Sequence, residues 1–327
     1  MILVTGGAGF IGSNVVAALA DAGREVAICD HLGHGDKWRN VARHALADIV
    51  TPEACLDWLA AQGRRIEAVV HLGAISSTTE RDLDALVRHN FRFSLDLWHW
   101  CAGNGARLIY ASSAATYGDG AAGFDDDNDP AALARLRPLN GYGWSKQAFD
   151  RRAVALAGRG GPAPRQWVGL KFFNVYGPNE YHKDDMRSVV CKAYPTAAAG
   201  EAVTLFKSHH PDYADGGQSR DFIYVRDCVD VILWLLERHD VSGLFNLGTG
   251  QARSFADLIG ALFKALGANA RIDYADTPAE IRDKYQYFTQ ARMDRLRAAG
   301  YDRPFTSLED GVADYVRSYL ATDDPYR

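Results

Sequence analysis

Apolar residues in the first half of the chain alternate between short continuous runs and longer stretches at helical spacing. Residues 2–5, 25–29, 68–72, 107–111 and 168–172 are brief runs rich in β-branched and aliphatic side chains, and they predict strands. Between them, residues 12–22, 52–62, 83–103 and 142–156 carry the apolar spacing of helices packed on a sheet. This alternation predicts an α/β fold with a parallel, doubly wound sheet. Beyond Asn174 the pattern breaks. Residues 208–218, SHHPDYADGGQ, are dense in turn formers and predict a polar surface loop, and sheet-like pieces return at 222–225 and 244–247. The expected division is a core, residues 1–172 with 221–250, and a smaller, mainly C-terminal α/β lobe, residues 173–220 with 251–327. Such a lobe would close over the carboxyl edge of the sheet, where ligands of these folds bind.

The first strand runs into Gly6-Gly7-Ala8-Gly9-Phe10-Ile11-Gly12 and then a helix, the order of a Rossmann-type NAD(P)-binding domain. Gly6, Gly9 and Gly12 let backbone N–H groups approach a pyrophosphate at the positive end of the helix, with Phe10 and Ile11 beside them. Asp30 ends the second strand, where a carboxylate accepts hydrogen bonds from the adenosine ribose of NAD. His31, Lys37 and Arg39 follow closely, and a cation there neutralises the 2′-phosphate of NADP, so both cofactors stay open. A solvated basic face explains Lys37 and Arg39 equally well. Asp48, before Ile49, suits the adenine edge or a plain surface position.

Tyr142 and Lys146 are four residues apart and so share one face of a predicted helix. A phenol is a poor base at neutral pH, and a nearby ammonium stabilises its phenolate, which is expected to pull the pKa of Tyr142 down. Lys146 also has the reach to hold the nicotinamide ribose. Ser112 and Ser113 end the fourth predicted strand, and Ser113 is the candidate for a third hydroxyl at the same reacting oxygen; a turn cap is the alternative.

A net charge of −5 gives no footprint for nucleic acid or an anionic membrane, so any anionic ligand must be held by local features. The five cysteines are scattered, with no CxxC spacing, and predict reduced thiols rather than a disulfide framework or a zinc site. No metal is expected; His209-His210 reads as loop surface. No apolar run approaches the roughly 20 residues of a membrane span. The first strand begins at once, which predicts no targeting peptide and a cytoplasmic location.

These motifs carry a resemblance. TGGAGFIG from Thr5, ASSAATYG from Ala111, YGWSK from Tyr142 and FFNVYGP from Phe172 resemble the extended short-chain dehydrogenase/reductase pattern, over nearly the whole chain. More narrowly, SSTTE from Ser76, EYHK from Glu180, RDF from Arg220, FNLGTG from Phe245, and the Tyr285-Gln286 and Phe288-Thr289-Gln290 segments resemble the ADP-heptose 6-epimerase family. The resemblance implies an isomerase with tightly held NADP, NAD being the alternative. The hydride leaves C6 of the heptose and returns to the opposite face of a transient ketone. It also implies a homo-oligomer, often five-membered, and a place in supplying heptose for lipopolysaccharide.

The resemblance maps a second base, also in contact with the cofactor, onto Lys183; an exposed loop lysine is the alternative. Asp184 and Asp185 follow where small residues are usual and would favour its charged form. Ser76, Ser77, Thr78, Asn174 and Asp185 map to the substrate, Val175 to the cofactor and Phe206 to the nucleotide base. Arg220 maps to the diphosphate, where its guanidinium suits phosphate oxygens. Lys192 maps beside it as further positive charge for the substrate, at a place where a histidine is common in the family. Tyr285 would close over the sugar or phosphate. Leu72, Gly73, Ala74 and Ile75 map along the nicotinamide half with His89 or Asn90 beside them, although Leu72 stands where a polar residue is often seen. Related 4,6-dehydratases carry an acidic pair just after the catalytic Ser/Thr, where this chain has Ala114 and Ala115. Lys183 is a feature not expected of UDP-hexose 4-epimerases, and a non-catalytic NADP sensor would typically lose Tyr142 or Lys146.

Overall fold

The structure is a computed structural model describing residues 1–278, 282 and 286–327. Strands β1 (Ile2–Thr5), β2 (Val26–Cys29), β3 (Asp48–Val50), β4 (Ala68–His71), β5 (Arg107–Ser113) and β6 (Trp167–Phe172) form one sheet. After β7 (Asn174–Tyr176), β8 (Val203–Phe206) and β9 (Ser219–Tyr224), β10 (Gly243–Leu247) joins it as the seventh strand. The order is β10-β6-β5-β4-β1-β2-β3, with every pairing parallel. The order reverses between β1 and β4, which opens a crevice at their carboxyl ends.

Helices α1 (Phe10–Asp21), α2 (Cys55–Gln62), α3 (Leu83–Leu86), α4 (Phe93–Asn104), α5 (Pro130–Arg135) and α6 (Gly141–Gly158) connect these strands. The helix expected over 83–103 is interrupted by a π-helical turn, Val87–Arg92, before α4 ends at Gly105, whose φ of 71° suits a residue without Cβ. The strand expected at 222–225 belongs to β9, which pairs with β7 and with β11 (Ala252–Ser254) in a separate three-stranded sheet. A two-stranded parallel sheet joins β8 to β12 (Ile272–Ala275). Helices α7 (Val189–Ala198), α8 (Val225–Glu237) and α9 (Phe255–Ala265) accompany these strands, and the helices Asp294–Ala298 and Leu308–Tyr315 follow near the C-terminus.

Two hydrophobic clusters result, one along the large sheet and one among α7, α9 and the helix Leu308–Tyr315. Phe10, at the start of α1, is buried in the second cluster although its helix follows the first strand. All five cysteines are buried and free. Among the described residues no helix is long and apolar enough to cross a membrane, and no cluster of potential metal ligands is found.

Candidate active site

A cleft of about 670 Å³ lies over the crevice between β1 and β4. Its floor is the turn from β1 into α1. Gly6 has a φ of 65°, and a Cβ on it would lie 2.6 Å from Gly73 N, so only glycine lets the two loops meet. A Cβ on Gly12 would lie 2.0 Å from Gly6 O. Gly9, at the N-cap of α1, has no side chain to cover the first turn. The result is a cradle of bare backbone at a helix N-terminus, the chemistry a pyrophosphate requires. Phe10 and Ile11 also line it.

Asp30 sits at the edge of this cradle with both oxygens engaged. Oδ2 accepts from Ala8 N at 2.9 Å, and Oδ1 accepts from Lys37 Nζ at 2.6 Å. Lys37 lines the cleft, whereas His31 turns outward to Glu53 at 2.9 Å. Arg39 stacks over Tyr326, 4.4 Å from the ring centroid. Asp48 is exposed on β3 and accepts from Trp58 Nε1 at 2.7 Å, outside the cleft lining.

The opposite wall is the segment after β4, with Leu72, Gly73, Ala74, Ile75, Ser76, Ser77 and Thr78 all facing the cleft. Asn90 stands behind this wall. Its Oδ1 accepts from Ile75 N at 2.9 Å, and its Nδ2 donates to Ile75 O at 2.9 Å and to Ser145 Oγ at 3.0 Å. The π-helical turn places that amide between the wall and α6. His71 lies below, between Thr5 Oγ1 at 2.6 Å and Ser94 Oγ at 2.8 Å. Burial, reinforced by Lys146, pushes its pKa down to about 3 and keeps it neutral.

Asn140 caps α6 through Gly143 N at 2.8 Å and sets Tyr142 and Lys146 toward the cleft. Lys146 Nζ donates to Ala111 O at 2.8 Å, at the end of β5. Ser113 caps a turn and also lies against Tyr142. Its Oγ accepts from Ala115 N at 3.1 Å, capping a short turn, and the same hydroxyl hydrogen-bonds with Tyr142. One expectation is corrected here. Burial dominates at Tyr142 and raises its pKa, opposed by the Ser113 hydrogen bond, while Asp150 adds to the rise. The proton is looser on Lys146, whose pKa burial lowers to about 8 against the pull of Asp150.

Lys183 faces this group from the turn Tyr181–Met186, with Nζ 5.4 Å from the Phe10 ring centroid. Burial lowers its pKa, and the opposing acid is Glu180 rather than the expected Asp184 and Asp185. Asn174, Val175 and Arg220 line the same cleft. Arg220 Nη1 donates to Ser219 O at 2.9 Å, and its guanidinium carbon lies 5.6 Å from the Phe255 ring centroid. Asp185 and Lys192 are outside the lining; Lys192 Nζ donates to Asp185 O at 3.2 Å. Phe206 is exposed on β8, also outside the lining, and Tyr285 lies outside the described residues.

The lining also includes residues not singled out as contacts, among them His182, Met186, Phe173, Gln286 and Thr289. His182 Nδ1 is 3.2 Å from Asn40 Nδ2, and burial, followed by Lys37 and Lys183, lowers its pKa to about 4. The His182-Lys183 pair and the motif around Gln286 were the available signals for these positions.

Residues 2–248 match the NAD dependent epimerase/dehydratase family. A protein of Nitratidesulfovibrio vulgaris (strain DP4) named ADP-L-glycero-D-manno-heptose-6-epimerase is 52% identical, with 100% of both chains covered. A Fusobacterium nucleatum protein of the same name is 44% identical, again with 100% of both covered. The crystal structure of the Helicobacter pylori protein of that name has a TM-score of 0.77 and 28% identity, covering 97% of this chain and 95% of the other.

Proposed function

Since the chain belongs to the NAD dependent epimerase/dehydratase family, we propose that it is an ADP-L-glycero-D-manno-heptose 6-epimerase working through Ser113, Tyr142, Lys146 and Lys183. Its substrate is a nucleotide sugar and its cofactor a nicotinamide dinucleotide. The observation carrying the residue assignment is that both proton-transfer groups, Tyr142 and Lys183, share one cleft with the glycine cradle.

The cofactor fits the residues present: a Cβ on Gly6 would meet Gly73 N and one on Gly12 would meet Gly6 O, so only glycine at both positions permits the tight turn that offers bare backbone N–H groups to a pyrophosphate. Gly6, Gly9 and Gly12 with the Leu72–Ile75 wall would hold the dinucleotide, which would supply a reversible hydride acceptor for C6. Tyr142 removes or restores the C6 hydroxyl proton, with Ser113 holding the same oxygen and Lys146 supplying positive charge beneath. The half-buried Lys183, its ammonium destabilised by burial, serves the sugar in its second orientation. Arg220 takes the diphosphate in charge-assisted hydrogen bonds. Ala114 and Ala115 follow Ser113 in the lining, so these positions hold no acid to expel water, and dehydration is disfavoured.

NADP is the proposed form. Lys37 neutralises Asp30 at the adenosine end, which makes a 2′-phosphate tolerable there. The division into lobes, a homo-oligomer, five-membered as the resemblance suggests, and a cytoplasmic location belong to the same reading.

Proton NMR of the purified protein with ADP-D-glycero-D-manno-heptose and no added cofactor tests the function. Appearance of the C6 epimer is expected. An untouched substrate with NADP⁺ and NAD⁺ both supplied, while a UDP-hexose is interconverted, overturns the heptose assignment.

A further inference from the structure

Beneath Tyr142 and Lys146 lies a charge pair to which the reaction above gives no role. Asp150 and Lys171 are both fully buried, with Lys171 Nζ 2.7 Å from Asp150 Oδ2. Asp150 is one helical turn beyond Lys146 on α6. Its Oδ1 accepts from Tyr110 OH at 3.0 Å, and its Oδ2 also accepts from Ser112 Oγ at 2.6 Å. Lys171 on β6 stands opposite Ser112 in the register with β5. It donates to Thr116 Oγ1 at 2.8 Å, and Thr116 Oγ1 donates to Ser113 O at 2.8 Å. Thus α6, β5, β6 and the turn after Ser113 converge on a single ion pair.

Stability alone gives little reason for it. Removing two charges from water is costly, and apolar residues of similar volume often fill such a place as well or better. What this pair provides is a rigid, fully hydrogen-bonded frame in a dry region where charge acts strongly. The titratable groups near Lys146 are Tyr142 and Asp150 on its own helix, His71 of β4, Tyr110 of β5, Lys171 of β6, Tyr117 after Ser113, and Lys183 across the cleft. His71 is kept neutral, and burial raises Tyr110 and Tyr117 well above the ordinary phenol range. Asp150 and Lys171 are therefore the ion pair beneath Lys146 among these groups. Asp150 acts on both catalytic side chains, raising Lys146 and Tyr142 alike.

We propose that the Asp150–Lys171 pair is a positioning device for the epimerisation: it locks Ser113, Tyr142 and Lys146 into one frame and sets a negative potential beneath the proton they share. The proposal rests on the catalytic reading of Tyr142 and Lys146. Its test is the pH profile of kcat/KM with ADP-D-glycero-D-manno-heptose. Asp150→Asn keeps the shape, removes the negative charge and leaves the Lys171 cation. The rise of kcat/KM is expected to move toward acid by about one pH unit. At the wild-type optimum kcat should fall by about tenfold or more, with KM within about twofold.

Lys171→Arg retains the pair, and its profile is expected to stay at the wild-type position. The double variant Asp150→Asn/Lys171→Met removes both charges, relieves the unpaired cation and is expected to move toward acid as well, by less. It carries the test if Asp150→Asn does not fold. An unmoved or alkaline-shifted profile in a folded protein lacking Asp150 overturns the proposal, even if the rate falls. Tyr142→Phe, run alongside, separates the two ideas. Full turnover in that variant removes the catalytic reading itself, whatever the Asp150 variants do.

Discussion

Tyr142 and Lys146 face one cleft from the same turn of α6, so their protons leave as a coupled set. Burial raises the phenol and lowers the ammonium to about 8, so the first proton is lost near that pH. The reactive form is the minor arrangement of the singly deprotonated pair, in which the remaining proton sits on Lys146 and the phenolate is free to act as base. kcat/KM is therefore expected to climb as pH rises through about 8, the sign following from the singly deprotonated pair being the active one. A profile flat from about pH 6 to about pH 9 contradicts this. Tyr142→Phe and Lys183→Met are each expected to cut turnover by about a hundredfold or more while cofactor remains bound, read by absorbance of the purified protein. The residue types of this constellation were legible because their spacing on a helix forces proximity. The direction of the Tyr142 shift was not, since burial is a property of the assembled cleft. Asp184 gives a second case. Its φ of 45° and ψ of −121° belong to a region that favours glycine. Asp184→Gly should relieve roughly 1 kcal/mol net of the chain-entropy cost, raising Tm by about 2 °C in calorimetry. A lower Tm would show that the aspartate contributes more there than its strain costs.

Elements with a strong repeating pattern were legible, and those held by a few contacts were not. The β1–glycine–α1 unit announces itself because strand, turn and helix each need different residue types in sequence. β3 is three residues long and mostly exposed, and β7 is equally short, so neither carries a pattern. The π-helical turn at Val87–Arg92 was hidden because its apolar spacing continues that of α3 and α4, yet it places Asn90 behind Ile75. The segment between β2 and β3 shows the same limit. Its charges were visible, but not that Ala8 N and Lys37 Nζ occupy both oxygens of Asp30. Lys37→Ala therefore exposes the carboxylate to any 2′-phosphate. Fluorescence titration should show NADPH affinity falling by roughly tenfold relative to that of NADH. Equal losses for both would remove Lys37 from cofactor choice.

At the scale of the molecule, the cleft coincides with the seam between the two hydrophobic clusters. Ile11 and Val175 pack against both clusters, and Phe10 crosses from the glycine turn into the second, 6% exposed and beneath Lys183. On the proposed reading cofactor and substrate bind where one core hands over to the other, and a ligand touching Phe10 and Val175 would tie the two together. No periodicity reports such a seam, because Phe10 obeys the glycine motif locally and the second core globally. Phe10→Ala should cost about 3 kcal/mol, as other buried phenylalanine truncations do. Leu262→Ala, in the second core away from the cleft lining, should cost a similar amount. The two are expected to part on addition of NADP⁺. Ligand binding to the native state raises Tm in proportion to its affinity, so Leu262→Ala should keep the full wild-type increment. Phe10→Ala should lose most of it, and also lower turnover, because the floor of the cofactor cradle and the support under Lys183 are loosened together. If both variants show the same NADP⁺-induced increment, Phe10 is core packing alone and the seam does not couple binding to the joining of the two clusters.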